Sequence, residues 1–234
     1  MPLLVRSWNL FHGNTHPPER RSHLREMVQL VVADEPDVVC VQEVPVWALP
    51  HLEGWSGYRA IPAIARHGLR PSVLAGWITR LHNGLLRSAI TGQANVVLVA
   101  QEHDTRNLGQ IQISQGPLER RVCQAVRVNG VVVANVHTSS IDEDSRAQNE
   151  VSRAELEKAR EFVERLAEGA PVAIAGDFNL PGFGLDGYSE PGPGIDQVVV
   201  RGAPVGPPVV WPKERRVQGG RVLSDHAPVE VVIG

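Results

Sequence analysis

Asp177 and Asn179 stand at the end of the apolar run Val172-Ala173-Ile174-Ala175, in the stretch VAIAGDFNLPG over residues 172–182. A strand that leaves a core through an acid and an amide two residues apart presents both on one face and Phe178 on the other. Similar endings recur along the chain. One apolar run closes at Trp8-Asn9, another at Gln42-Glu43 and a third at Asn135-Val136-His137, and the last run opens with Ser224-Asp225-His226. Strand ends and the loops beyond them are where chemistry is usually placed. If these ends converge, Glu43, Asp177 and Asp225 form a set of acids that cannot lie close and ionised without a counter-charge. Carboxylates joined by an amide suit a hard cation, Mg²⁺ or Mn²⁺. His137 and His226 beside such a cation would serve as acid, base or charge-stabilising groups for attack of water on a phosphoester. Turn chemistry is the competing explanation, since Asp and Asn favour turns and Pro181-Gly182 follows.

The elements that must position these residues alternate in type. Apolar runs of strand length cover residues 3–10, 37–44, 94–100, 121–128, 131–138 and 171–180, with two more, IDQVVVRG and APVEVVIG, closing the chain. Asn129-Gly130 between two of them is a tight hairpin signal. Helical periodicity covers residues 17–37, with Pro17 and Pro18 in the first turn and Leu24, Met27, Val28 and Val31 on one face. A second helix is predicted over 72–90. A third runs over 143–170, with a stripe of Val151, Leu156, Ala159, Phe162, Val163 and Leu166. Residues 181–194 form a Gly/Pro loop. With no repeat and no linker, the chain reads as one domain, 1–234, of packed sheets flanked by helices.

Composition narrows the function classes. The chain has 234 residues and a formal net charge of −3, which argues against tight, non-specific binding to nucleic acid. Cys40 and Cys123 sit inside apolar runs and read as buried reduced thiols. No secretory leader and no membrane-spanning run is recognised, so a cytoplasmic location is expected. Lys213, Arg215, Arg216 and Arg221 make a basic run before SDHAPV, either a solvated loop or a rim that steers phosphate. The remaining histidines, His12 among them, receive no role.

In order, the blocks SWNL, VQEV, NVHTSS, AGDFNLP, GIDQV and SDHAPV, spanning Asn9 to Val229, resemble the endonuclease/exonuclease/phosphatase superfamily, the group related to pancreatic-type deoxyribonuclease and exonuclease III. The resemblance implies a deoxyribonuclease-like four-layer α/β sandwich, two packed mixed β-sheets flanked by helices. It implies a Mg²⁺- or Mn²⁺-dependent phosphoesterase, with Asn9 and Glu43 at the metal and Asp225 supporting it. Asp177 would orient or deprotonate water, Asn179 would bond a phosphoryl oxygen, and His226 would contact the phosphate with its tautomer fixed by Asp196. His137 matches the deoxyribonuclease-like branch. Asn95 and Arg121 resemble substrate-binding positions. The partner implied is a phosphoester, with nucleic acid among the candidates; no protein partner is expected. A phosphodiesterase is favoured, the alternatives being a phosphomonoesterase on a phosphoinositide or other small ester and a catalytically silent binding module.

Overall fold

The structure is a computed structural model that describes residues 2–19, 21–66, 92–115, 120–140 and 146–234. Six strands form one mixed sheet: β1 (Leu3–Asn9), β3 (Val38–Val44), β4 (Arg59–Arg66), β5 (Gln93–Val99), β11 (Val209–Val210) and β14 (Val229–Ile233), in the order β11-β14-β1-β3-β5-β4. Five form a second: β6 (Thr105–Gln112), β7 (Val122–Val128), β8 (Val131–His137), β9 (Val172–Asp177) and β10 (Asp196–Arg201), in the order β10-β9-β8-β7-β6. β1 and β3 pair in parallel, as do β8 and β9. A small sheet joins β2 (Thr15–His16), β13 (Arg221–Leu223) and β12 (Val217–Gln218).

Side-chain alternation sorts the apolar residues into layers. Val5, Val38, Cys40, Val97 and Val99 of the first sheet meet Val126, Val133, Ala173, Ala175 and Val198 of the second. The outward positions of the first sheet, Trp8, Val39, Val41 and Leu98, are covered by helix α1 (Leu24–Val31) and helix α2 (Leu52–Ser56). Those of the second, Ala134, Val136 and Ile174, are covered by Leu156, Ala159 and Val163 of helix α3 (Arg146–Ala167). Each fully buried Val, Leu or Ile side chain among these contributes about 1.5–3 kcal/mol. The architecture is the four-layer α/β sandwich expected. Both cysteines are free and buried, and burial raises both thiols.

The differences from the sequence reading have local causes. The first helix starts at Leu24 rather than Pro17, because Thr15 and His16 are drawn into pairing with Leu223 and Val222. β4 and β6 escaped because both are edge strands: β4 carries Pro62, which a central strand would not hold, and β6 is largely polar. The helix expected over 72–90 lies outside the described residues. Among the described residues no helix is long and apolar enough to cross a membrane.

The basic run is a solvated loop only in part: Lys213 and Arg215 are exposed, whereas Arg216 is buried. Arg215 pairs with Asp34 and stacks over Trp211, Arg221 pairs with Glu19, and Arg216 is buried, donating to the carbonyls of Leu223, Ser224 and His226. Behind this run lies a fully buried guanidinium. Arg6 bonds both oxygens of Asp34 and one of Glu230, and lies 4.4 Å from the Trp211 ring centre. Burial would raise the Asp34 carboxyl, but the hydrogen bonds and charges of Arg6 and Arg215 outweigh it and hold it at about 2. Arg6→Met should therefore lower stability by about 3–5 kcal/mol by leaving the largely buried Glu230 carboxylate without its cation, while Asp34 keeps Arg215, read by urea denaturation. The stabilisation from ionised Asp34 is present above its unfolded value of 3.8 and lost as pH falls towards 2. Thermal melts of wild type and Asp34→Asn should accordingly differ at pH 5 and converge near pH 2.

Candidate active site

The inward-facing positions of both sheets turn from apolar to polar towards one end. Val5 is followed by Ser7 and Asn9, Cys40 by Gln42, Val97 by Asn95 and Gln93, Val133 by Asn135 and His137, Ala175 by Asp177, and Val198 by Asp196. Pairing aligns His137 with Asp177, and Asp177 with Asp196, so the three lie in one row across β8, β9 and β10. Adjacent strands are about 4.8 Å apart, which fixes the spacing of the row. Gly176 makes the row possible. A Cβ there would lie 1.8 Å from the Val136 carbonyl oxygen, at a backbone φ of +151°. Behind it, Phe178 is fully buried beneath α3.

Alternation alone would send Glu43 outward with Val41. A register irregularity between Val41 and Val44, with Glu43 at φ +56°, turns its carboxylate inward instead. Its Oε1 lies 3.9 Å from His137 Nε2, and its Oε2 lies 3.2 Å from His12 Nε2. His226 arrives from the turn before β14. Ser224 Oγ donates to the Asn9 carbonyl and accepts from the His226 amide, while Trp8 Nε1 and Arg216 Nη1 donate to the His226 carbonyl.

Asp177 lies at the centre. Asn9 Nδ2 donates to its Oδ2 at 3.0 Å, His137 Nε2 lies 3.6 Å and His226 Nδ1 3.9 Å from that oxygen, and the Asn179 amide donates to its Oδ1. Burial first, then the Asp196 charge, pushes the Asp177 carboxyl up to about 6 against the pull of His226 and Asn9. His226 Nδ1 bonds Asp196 Oδ2 at 2.9 Å. Burial would lower this imidazole, but Asp196, Asp177 and Asp225 raise it to about 10, so it is an imidazolium at neutral pH. His137 is the opposite. Burial, then the Arg121 guanidinium, then the other imidazoles hold it well below the ordinary histidine value. Arg121 Nη1, which can only donate, lies 2.8 Å from His137 Nδ1 and 2.9 Å from its Nε2, and Gln93 Nε2 lies 3.1 Å from Nδ1. A guanidinium against this edge of the ring disfavours a second proton on it, and the Nε2 side faces Asp177 and Glu43.

Asn9, Glu43, His137, Asp177, Asp196 and His226 are thus brought together. Asp225 is exposed, 3.9 Å from His226 Nε2. Asn179 does not simply continue the strand alternation. It adopts φ +49° in a turn closed by Asp177 Oδ1, and its Nδ2 donates to the Thr138 carbonyl. Asn95 is buried and bridges the sheets by donating to the Val122 carbonyl, and Arg121 rests against His137. Sequence reasoning missed His12 and Gln93. Only the position of His12, three residues after Asn9 and before Gly13, could have marked it.

Two parts of the site could hold a cation. Asp177, Asp196 and His226 each offer an atom within 4.8 Å of the others. In that trio, however, His226 Nδ1 is already engaged with Asp196 and the ring carries charge, which leaves it no lone pair to give. Glu43 is the better anchor. Among the described residues it has no guanidinium or ammonium partner, only the two imidazoles. A carboxylate whose partners are imidazoles rather than fixed cations fits a divalent ion.

Comparison with known proteins agrees with this fold. The model of the Endonuclease/Exonuclease/phosphatase family matches residues 7–226. The fold is shared with an endonuclease/exonuclease/phosphatase from Beutenbergia cavernae DSM 12333, at TM-score 0.73 and 18% identity over 99% of this chain and 71% of that one. It is also shared with TDP2 from Caenorhabditis elegans, at TM-score 0.68 and 17% identity over 100% and 74%. A humanized TDP2 from D. rerio gives TM-score 0.68 and 17% identity over 100% and 99%. No curated protein matches the sequence.

The row of functional groups rests on Gly176. Gly176→Ala should force β8 and β9 apart, because backbone rather than a flexible side chain meets the new methyl. The expected result is a loss of stability above the ~1 kcal/mol typical of point substitutions, read by chemical denaturation.

Proposed function

The chain belongs to the endonuclease/exonuclease/phosphatase family, a family of hydrolytic phosphoesterases, and on that footing we propose that it is a divalent-metal-dependent phosphodiesterase acting as one domain over residues 1–234. The observation that carries the reading is Asp177, a buried acid pushed up to about 6 and held between the Asn9 amide and two imidazoles. A carboxylate so placed orients water and accepts its proton. The Asn9 bond to Oδ2 and the Asn179 amide on Oδ1 fix which lone pairs remain for that water. The two imidazoles act as donors on either side. His226, charged and oriented by Asp196, offers its Nε2–H to a phosphoryl oxygen, while neutral His137 offers its Nε2–H to a phosphoryl or leaving oxygen.

Glu43, with Asn9 next to it and Asp225 at the rim, would hold Mg²⁺ or Mn²⁺, which supplies Lewis-acid stabilisation of the charge developing on phosphate. Asn179 keeps one amide hydrogen free for a phosphoryl oxygen. Arg121 and Asn95 act on substrate through the wall they build, Arg121 by keeping His137 neutral and Asn95 by tying β5 to the strand that follows Arg121. A chain with net charge −3 and few aromatic residues suits a small or short phosphoester, or DNA held by shallow contacts.

The test compares bis-p-nitrophenyl phosphate with p-nitrophenyl phosphate, in Mn²⁺, in Mg²⁺ and in EDTA. Diester hydrolysis should need metal and exceed monoester hydrolysis. Asp177→Ala and His226→Ala should each lower kcat by about 10²- to 10⁴-fold. Metal-independent turnover, or full activity in Asp177→Ala, would sink the reading; a faster monoester reaction would move it to the phosphomonoesterases.

A further inference from the structure

We propose that His12 is a ligand of the cation held by Glu43, so that the site is a mixed nitrogen–oxygen one that prefers Mn²⁺ to Mg²⁺. The inference rests on the metal site of the proposed function, to which it adds a residue and a selectivity. His12 Nε2 and Glu43 Oε2 are 3.2 Å apart. Neighbouring ligands of a six-coordinate ion with bonds of about 2.1 Å lie about 3 Å from one another, so one cation can take both without either moving far. The imidazole is also held in place. Phe11, His12 and Gly13 all adopt positive φ, a conformation that non-glycine residues keep only where the surroundings impose it. Those surroundings are visible. The Phe11 amide donates to Asn9 Oδ1, the Gly13 amide to the Leu10 carbonyl, and the His23 amide to the Gly13 carbonyl. A Cβ on Gly13 would meet Leu24 Cβ and Ser22 Oγ at 2.9 Å, which packs the turn against α1.

The turn is therefore tied to Asn9 at one end and to α1 at the other, with His12 aimed at Glu43 between them. The His12 side chain is 11% exposed and that of Glu43 18%, so the pair sits at the mouth of the site rather than in bulk water. Mg²⁺ takes oxygen ligands almost exclusively, whereas imidazole suits first-row divalent metals, of which Mn²⁺ is the one nearest Mg²⁺ in its taste for oxygen, so an added nitrogen ligand tips the balance towards Mn²⁺. A simple ion pair between His12 and Glu43 would give the same distance with no preference between metals, and that is the alternative to separate.

The experiment uses the full chain and the metals alone. Electron spin echo modulation of bound Mn²⁺ reads directly coordinated imidazole nitrogen, and calorimetry reads affinity for Mn²⁺ and Mg²⁺. Wild type should show nitrogen modulation. His12→Asn and His12→Ala should both lose it, with Mn²⁺ affinity falling about 10- to 100-fold and Mg²⁺ affinity changing much less. His12→Asn keeps the test open if the smaller side chain unsettles the turn. Mn²⁺ that binds without nitrogen modulation, in a manner abolished by Glu43→Gln, would overturn the His12 assignment and leave the proposed function standing. Modulation that survives both His12 substitutions would do the same. No Mn²⁺ binding, or binding indifferent to Glu43→Gln, would overturn both.

Discussion

The contact between Gly176 and the Val136 carbonyl is the constraint on which the site depends. Only a residue without a Cβ lets the β8 and β9 backbones approach so closely. That approach sits one residue before the row of His137, Asp177 and Asp196. The three side chains need no loop to bring them together, because strand pairing sets their spacing and strand alternation sets their direction. Sites built on paired strands hold geometry better than sites on loops, and here Phe178, immobile beneath α3, anchors the strand just past the row. The left-handed turn at Asn179 ends the strand there and spends the Asp177 Oδ1 lone pair on backbone, leaving Oδ2 to face the imidazoles.

The opposite sheet meets this row through a buried polar contact. Gln42 Nε2 donates to Asn135 Oδ1 at 2.8 Å, and Asn135 Nδ2 donates to the Val41 and Val96 carbonyls. Groups as buried as these are costly unless bonded, so they allow few relative positions of the two sheets. The same bonds lie one residue from Glu43 and two from His137. Packing specificity and site geometry are therefore one property: the amide bridge that fixes how the sheets sit also fixes how far Glu43 stands from the row.

Much of this was legible as alternation. The acids, amides and imidazoles at the ends of apolar runs share the inward parity of the core residues before them, and a period of two is enough to see it. Like Asn179 past its strand end, Glu43 departs from that parity. Its inward aim depends on a bulge, and nothing in VQEV signals one. His12 was passed over for a related reason: its position comes from three successive positive φ angles, a conformation with little sequence signature beyond Gly13. The basic run misled in the other direction. Arg216 looks like surface charge, yet three carbonyls near the C-terminal turn claim it, and those carbonyls are adjacent only after β13 has paired with β2.

The two imidazoles show why the neighbours matter more than the residue type. His137 is buried and His226 partly so, and both lie within 4 Å of the same Asp177 oxygen. His137 faces a guanidinium and an amide donor, which favour a neutral ring. His226 faces Asp196 and Asp177, which favour the cation. Exchanging the partners would exchange the charges, so the division of labour belongs to Arg121 and Asp196 as much as to the rings themselves. It also sets what the Asp177 carboxylate can do. A charged imidazole on one side keeps it ionised despite burial, and a neutral one on the other leaves its proton affinity high enough to take a proton from water. Two imidazolium rings would leave Asp177 too weak a base, and two neutral rings would let burial protonate it near neutral pH.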